Sequence, residues 1–137
     1  MKSVHLHFPH LEVSLKVEPE AECVLADKDR MTQVFVNILE NAARYNDKEK
    51  PTCNVRSEKI DDSVVISFSD NGIGVSEKHL SKIFDSFYQV DMGSGRKVGG
   101  TGLGLSICRG IMAAHGGKIW AEQNPKGGTV FKISLSL

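Results

Sequence analysis

The chain has 137 residues, of which 40% are hydrophobic and 25% are charged, and its 17 basic side chains balance 17 acidic ones. This length and composition suit a single soluble domain with one core, and the zero formal net charge gives no overall field to attract nucleic acid or an anionic membrane. No apolar run approaches the roughly 20 residues that a transmembrane helix needs, and the N-terminus does not read as a signal peptide. The three cysteines, without metal-ligand spacing, favour buried thiols in a reducing cytoplasm over disulfides.

The first third of the chain predicts short strands followed by one long helix. Residues 4–8 and 11–17 alternate apolar and polar side chains, as half-buried strands do, and a short apolar run follows at 22–26. Asp27 is the predicted N-cap of a helix that ends near Asn46. The core-facing stripe of this helix would consist of Met31, Val34, Phe35, Ile38, Leu39 and Ala42.

The remainder predicts four more strands and two more helices. Strands are expected at about 52–58 and 63–69, and a helix at 76–87 with Ser76 as its N-cap. A glycine-rich loop over 88–101 precedes a helix at about 102–115, which should stop at a Gly-Gly pair. Two last strands, 118–123 and 129–137, flank a PKGG turn.

This order of elements predicts an α+β fold. It would be a two-layer α/β sandwich, in which a mixed sheet of about five strands, plus the short N-terminal strands, packs against three helices on one face. Residues 1–137 are predicted to form a single domain, with the loop at about 88–101 as a flexible lid.

The long helix carries a second, polar stripe. Gln33, Asn37, Asn41 and Arg44 fall within an arc of about 80° at 100° per residue, nearly opposite the apolar stripe. One interpretation is a solvated helix face, although such faces usually take Lys and Glu, which are better helix formers than Asn. The other is a magnesium site, because Asn37 and Asn41 present neutral oxygens one turn apart and Mg²⁺ prefers oxygen ligands alongside phosphate.

The segment DNGIG, residues 70–74, follows a predicted strand and admits two interpretations. Asn-Gly and Asp-Gly sequences tolerate positive φ, so it could be a plain turn. Alternatively, Asp70 accepts a hydrogen bond from an exocyclic amine, and the glycines let a flat ring approach the backbone.

The segment GGTGLGLS, residues 99–106, is harder to explain as structure alone. Gly102 and Gly104 stand where the helical pattern begins, although glycine costs about 0.8–1.0 kcal/mol relative to alanine inside a helix. A glycine-rich entry into a helix offers free N–H groups and the positive end of the helix dipole to an anion. Arg96 and Lys97, in the preceding loop, could meet a terminal phosphate.

Taken in order, five segments resemble the N, G1, F, G2 and G3 boxes of bacterial sensor histidine kinases. They are NILENAARYN, DNGIGV, FDSFYQV, GGTGLGLS and KGGT, and the resemblance covers about residues 12–137. The chain is similar to the catalytic and ATP-binding domain of such kinases, in the gyrase-like (Bergerat) ATPase superfamily. The cofactors implied are ATP and Mg²⁺.

The resemblance also implies residue roles. Asn37 and Asn41 would hold Mg²⁺ at the phosphates, Arg44 would face the phosphates, Tyr45 would border the nucleotide, and Asp70 would read the adenine amino group. The other implied nucleotide-site residues are, for the pocket, Gly72, Gly74 and Thr129; for the base of the lid, Phe84, Phe87 and Tyr88; and for the lid and its hinge, Arg96, Lys97, Gly100, Thr101, Gly102, Leu103 and Gly104. Asn46 replaces the Thr or Ser often found in the family, a change expected to be tolerated.

The implied reaction is transfer of the γ-phosphoryl group of ATP to a histidine on a separate dimerisation and phosphoacceptor domain, with a response regulator as indirect partner. None of the five histidines lies in a helical, acidic context, so the acceptor would come from elsewhere. His5, His7 and His10 would be edge-strand residues in preference to a metal cluster. The domain is expected to be cytoplasmic, without nucleic-acid or membrane contacts, and an inner-membrane sensor is one possible parent.

Three alternatives stay open. A gyrase-like or mismatch-repair-like ATPase module would need a glutamate as general base at the position of Asn37, four residues before the metal-binding Asn41, and Glu40 points about 100° away from Asn41 on the helix. A degenerate domain would only bind partners or nucleotide. A serine kinase of the anti-sigma type has related nucleotide boxes.

Overall fold

The protein folds around one six-stranded sheet in the computed structural model, which describes residues 2–8, 11–17, 26–88 and 104–137. In chain order the strands are β1 (Lys2–Phe8), β2 (Leu11–Val17), β3 (Thr52–Ile60), β4 (Ser63–Asp70), β5 (Lys118–Gln123) and β6 (Thr129–Ser136). Their order across the sheet is β1-β2-β3-β4-β6-β5. The β2–β3 pair is parallel and the other four pairs are antiparallel, so the sheet is mixed, as predicted.

Two α-helices belong to the described part of the chain, α1 (Lys28–Arg44) and α2 (Gly104–Ala114). The side chain of Asp27 caps α1 by accepting a hydrogen bond from the Arg30 N–H at 3.0 Å, which confirms the predicted N-cap. At the end of α2, Gly116 adopts φ +69° and the Gly117 N–H donates to the Met112 carbonyl at 2.8 Å. The glycine pair therefore ends this helix in the predicted way.

Both helices pack on one face of the sheet. The strand register brings Cys53, Val55, Phe68, Phe131 and Ile133 to that face, where all are buried. The apolar stripe of α1 lies against them, with its most buried members at Val34, Ile38 and Ala42. Alternate residues of the strands form the opposite face, which carries charged side chains. The chain is thus a two-layer α+β sandwich.

One predicted helix does not form. Residues 76–87 contain two short 3₁₀ turns, Glu77–His79 and Lys82–Phe84, and the Ser76 side chain makes no capping hydrogen bond. The apolar spacing had suggested a helix, but Ile83 and Phe84 bury their side chains in the core from a single 3₁₀ turn, and this packing overrides the local pattern. The described residues therefore hold two α-helices where three were predicted.

The two N-terminal strands are full members of the sheet, since every residue of β1 pairs with β2 and six residues of β2 pair with β3. Of the predicted apolar run at 22–26, residues 22–25 lie outside the described residues, as does almost all of the predicted lid. Within the described ranges, no helix combines the length and apolar composition that crossing a bilayer requires.

Candidate functional site

Asp70 is a buried carboxylate at the end of β4. Its side chain is held by the main chain, because Oδ1 accepts hydrogen bonds from the Gly72 N–H at 2.9 Å and the Thr129 N–H at 3.0 Å. Burial raises the pKa of Asp70, and these two hydrogen bonds partly offset that rise. The second oxygen, Oδ2, accepts no hydrogen bond from the described residues. The main chain thus holds one carboxylate oxygen, and the second oxygen is an acceptor without a donor in the described part of the chain.

Two of the glycines around Asp70 are required for space. A Cβ at Gly72 would lie 2.3 Å from the Tyr45 carbonyl oxygen, and a Cβ at Gly128 would lie 2.2 Å from the Asp70 carbonyl oxygen and 2.6 Å from Oδ1. Gly128 also has φ +95°, a region that residues with a Cβ rarely adopt. These glycines let the main chain close tightly around the carboxylate.

Two asparagines to which the sequence assigned no site role support the end of β4. Asn71 joins it to the segment after α1, and Asn124 donates from Nδ2 to the Asp70 carbonyl at 3.2 Å. Both residues stand beside turns, where asparagine is common for purely local reasons. The sequence therefore gave no signal that distinguished them from ordinary turn residues.

The polar stripe of α1 faces the beginning of α2. Asn37 Nδ2 donates to the Gly104 carbonyl at 3.3 Å, and Asn41 Nδ2 donates to the Asn37 carbonyl at 3.0 Å. A Cβ at Gly104 would lie 3.9 Å from Asn37 Cγ and 4.0 Å from Asn41 Nδ2. Because both amide nitrogens are engaged in these bonds, the two Oδ1 atoms are the candidate ligands for a hard cation.

The end of α1 connects this stripe to Asp70. Tyr45, the C-cap residue, donates its N–H to the Asn41 carbonyl at 2.9 Å and accepts a hydrogen bond from the Ile73 N–H at 3.1 Å. Burial raises the pKa of the Tyr45 hydroxyl, and the charge of Arg44 lowers it to a smaller extent. Arg44 itself is exposed at the end of the polar stripe. Main-chain contacts thus tie the amide face of α1 to the turn that holds Asp70.

The three aromatic residues predicted to form the base of the lid differ from one another in burial. Phe84 is buried, with its ring centroid 6.2 Å from that of Phe131. Tyr88 is half-buried against the core, and its hydroxyl hydrogen-bonds Nδ1 of His79. Phe87 is 71% exposed and adopts φ +66°. The structure therefore packs Phe84 and Tyr88 against the domain but gives Phe87 no place in the described core.

The remaining predicted site residues divide into two sets. In the first set, Gly74 adopts φ +78° and faces Gly128. Thr129 is buried and donates its N–H to Asp70 Oδ1. Residues of the predicted lid and its hinge lie outside the described residues: Arg96, Lys97, Gly100, Thr101, Gly102 and Leu103.

Two of the three cysteines lie next to the site as buried thiols. Burial raises the pKa of Cys53, the cross-strand neighbour of Asp70, to about 12, and that of Cys108, beside Asn37, to about 11. Such thiols are poor nucleophiles and poor metal ligands. Among the residues that the structure describes, no group of three His, Cys, Asp or Glu side chains could hold a metal ion.

Comparison with known proteins agrees with the resemblance to histidine kinase ATP-binding domains. Residues 26–137 match the family of histidine kinase-, DNA gyrase B- and HSP90-like ATPases. The sensor protein kinase WalK of Staphylococcus haemolyticus is 44% identical over 110 residues, which are 80% of this chain and 18% of that protein. The chain thus spans less than a fifth of that relative's length.

Solved structures with the same fold include histidine kinases. The nucleotide-free catalytic domain of histidine kinase ThkA has a TM-score of 0.76 and 33% identity, and the match covers 93% of this chain and 80% of that one. ThkA has also been solved in complex with the response regulator protein TrrA, with a TM-score of 0.67, 31% identity and coverage of 90% and 34%. Full-length ShkA in complex with AMPPNP has a TM-score of 0.76, 29% identity and coverage of 91% and 25%. The chain belongs to the family of histidine kinase-, DNA gyrase B- and HSP90-like ATPases, as an ATP-binding catalytic domain of the sensor histidine kinase type.

Proposed function

We propose that this domain binds Mg-ATP and transfers the γ-phosphoryl group to a histidine on a separate dimerisation and phosphoacceptor domain. The observation that carries the proposal is the arrangement of Asp70, which keeps one carboxylate oxygen fixed by two main-chain N–H groups and the other unengaged by the described residues. A buried acceptor of this kind suits the exocyclic amino group of adenine. It stands at the end of β4, joined through Tyr45 to the amide face of α1.

At the phosphate end, Asn37 and Asn41 would hold Mg²⁺ through their amide oxygens. Their nitrogens are already engaged, and neutral oxygens fit a cation that is shared with phosphate oxygens. When bound, Mg²⁺ supplies charge neutralisation at the β- and γ-phosphates. Arg44 would add a guanidinium at the exposed end of the same stripe, and Tyr45 would border the nucleotide.

The proposal extends to the rest of the pocket and to the lid. Gly72, Gly74 and Thr129 would shape the adenine end, with Phe84 and Tyr88 supporting the base of the lid from the core. From the resemblance alone, Phe87 would also belong to that base. The same resemblance assigns phosphate contacts to Arg96 and Lys97, and the lid hinge and its exposed amides to Gly100, Thr101, Gly102, Leu103 and Gly104.

We further propose that residues 1–137 form a single domain that acts with partners in the cytoplasm. The acceptor domain would bring the histidine to the γ-phosphate, and a response regulator would take the phosphoryl group from that histidine. The complex of ThkA with TrrA supports a response regulator as an indirect partner. An ATPase of the gyrase type is not favoured, because Asn37 cannot accept a proton from water at neutral pH and Glu40 is an exposed residue.

The test uses the chain with γ-labelled ATP, Mg²⁺ and an added histidine-kinase dimerisation and phosphoacceptor domain. We expect acid-labile label on the added domain and none on the chain alone. An Asp70→Ala variant, which removes the base acceptor, should abolish the transfer. Strong acid-labile label on the isolated chain would contradict the proposal, as would phosphate release at a steady rate that Glu40→Gln abolishes.

A further inference from the structure

The side chain of Asn71 joins three segments next to Asp70. Its Oδ1 accepts hydrogen bonds from Asn46 Nδ2 at 2.7 Å and from the Thr52 N–H at 2.9 Å, and its Nδ2 donates to the Lys50 carbonyl at 3.1 Å. The Thr52 N–H can only donate, so it identifies the amide atom that faces it as the oxygen. The Asn71 main-chain N–H also donates to the Thr52 carbonyl, at 3.3 Å. These four hydrogen bonds are more than a turn requires of its asparagine, so Asn71 also connects neighbouring segments.

Asn46 forms the other half of this contact. It follows the C-cap of α1, is half-buried, and uses both ends of its amide, since Nδ2 donates to Asn71 and Oδ1 accepts from the Lys48 N–H at 2.9 Å. The Asn46–Asn71 contact, called here the amide bridge, therefore links the end of α1 directly to the residue after Asp70. The bridge spans 25 residues of sequence.

Main-chain contacts next to the bridge make the connection close. The Tyr45 carbonyl accepts the Ile73 N–H at 3.1 Å, and a Cβ at Gly72 would lie 2.3 Å from the same carbonyl oxygen. The main chain of the turn after Asp70 is thus in close contact with the end of α1, and the amide bridge lies beside this contact. Loss of the bridge would leave the Tyr45–Ile73 bond as the one hydrogen bond between the turn and the end of α1 within the described residues, and the turn positions Asp70 because its Gly72 N–H holds Oδ1.

We propose that Asn46 and Asn71 are positioning residues that determine how strongly Asp70 recognises the amino group of adenine. A hydrogen bond weakens steeply when its angle departs from linearity, so an acceptor recognises an amine well only if its direction is fixed. The amide bridge fixes that direction relative to α1, where the phosphates and the metal would bind. This inference rests on the proposed function and adds two residues to it.

The test compares ATP with purine riboside 5′-triphosphate, which lacks the 6-amino group, by calorimetry in the presence of Mg²⁺. In the wild-type chain ATP should bind at least about tenfold more tightly, the usual difference for a hydrogen bond to a charged acceptor. In Asn46→Ala and Asn46→Asp the ratio of the ATP affinity to the analogue affinity should fall at least about threefold. A net hydrogen-bond contribution lost from the ATP complex alone lowers the ratio by about this much. Asn46→Asp keeps an oxygen that can accept from Lys48 and replaces the donor to Asn71 with a charged acceptor, whereas Asn46→Ala removes the same donor without adding a charge.

Asn54→Asp is the matched control, because it makes the same amide-to-carboxylate change on an exposed strand residue. It should leave the ratio unchanged. In an Asn71→Ala background, Asn46→Ala should lower the ratio no further, since the bridge is already absent. Circular dichroism melting identifies a temperature at which all variants that fold are in the folded state. If Asn71→Ala does not fold, the two Asn46 variants still decide the question.

Two results would overturn the inference while leaving the proposed function intact. One is equal weakening of both nucleotides, which would make the bridge a purely structural contact. The other is wild-type affinity for both nucleotides in both Asn46 variants. A wild-type chain that binds ATP no more tightly than the analogue would overturn the role of Asp70 itself, and this inference with it.

Discussion

The turn between β5 and β6 offers a paired test of how the fold holds Asp70. Gly127 and Gly128 are adjacent and both adopt positive φ, +100° and +95°. A Cβ at Gly127 would meet no atom within 4 Å, whereas a Cβ at Gly128 would lie 2.2 Å from the Asp70 carbonyl oxygen. Alanine at either position therefore incurs the backbone strain, but only Gly128→Ala also collides with Asp70.

The expected difference follows from these distances. Backbone strain of this kind costs about 1–3 kcal/mol, which we expect for Gly127→Ala. In Gly128→Ala the turn must also move by about 1.2 Å to reach the 3.4 Å of ordinary van der Waals contact (3.4 − 2.2). That movement breaks the 3.0 Å hydrogen bond from the next residue, Thr129, to the Asp70 carboxylate. A hydrogen bond to a charged group contributes about 1.5–3 kcal/mol, so Gly128→Ala should lose that much more.

Urea unfolding measures the free energy of unfolding of each variant, and calorimetry measures its affinity for Mg-ATP. We expect ATP affinity within about twofold of wild type for Gly127→Ala and at least about tenfold weaker for Gly128→Ala. Equal free energies of unfolding and equal affinities in the two variants would refute the argument. Such a result would mean that Gly128 serves only its backbone conformation and that the close contact with Asp70 has no consequence.

Three further predictions concern buried or capping groups. Because burial raises the pKa of Asp70 above its unfolded value, the stability advantage of its protonated form is present below the unfolded pKa and lost as the pH rises through the folded pKa. Asp70→Asn should therefore be more stable than wild type at pH 7 in urea unfolding, by a margin that shrinks toward pH 4, while losing ATP binding; a margin that grows on acidification would contradict this. Cys53 and Cys108, with pKa values raised to about 12 and about 11, should resist iodoacetamide at pH 8 until urea is added. Peptide mass spectrometry measures the labelling of each cysteine, and rapid labelling of either of these two in the folded chain would contradict their burial. Asp27→Ala should lower the free energy of unfolding by about 1 kcal/mol through loss of the α1 cap, and Asp29→Ala, in the first turn without a capping bond, by only a few tenths; equal losses would show that the cap is not the cause.

The sequence predicted most of the elements because their signals are local. Alternation of apolar and polar residues marked the strands, and helical spacing together with Asp27 and the glycine pair marked both helices. The failure at residues 76–87 has the same origin. Leu80, Ile83 and Phe84 have helical spacing, but burial of Ile83 and Phe84 against the sheet favours a 3₁₀ turn, and that contact is not encoded in the spacing.

For the candidate site, the sequence by itself determined which groups are present: the amide stripe on α1, the aspartate at the end of a strand, and the glycines beside them. Only the tertiary structure decided how they are held. Thr129 reaches Asp70 across 59 residues of sequence, and Gly104 reaches Asn37 across 67. The supporting roles of Asn71 and Asn124 follow only from hydrogen bonds that exist in the folded chain. The physical reason is that periodicity and turn chemistry act between near neighbours in the chain, whereas the hydrogen bonds that aim a carboxylate or an amide depend on segments that meet only through strand pairing and core packing.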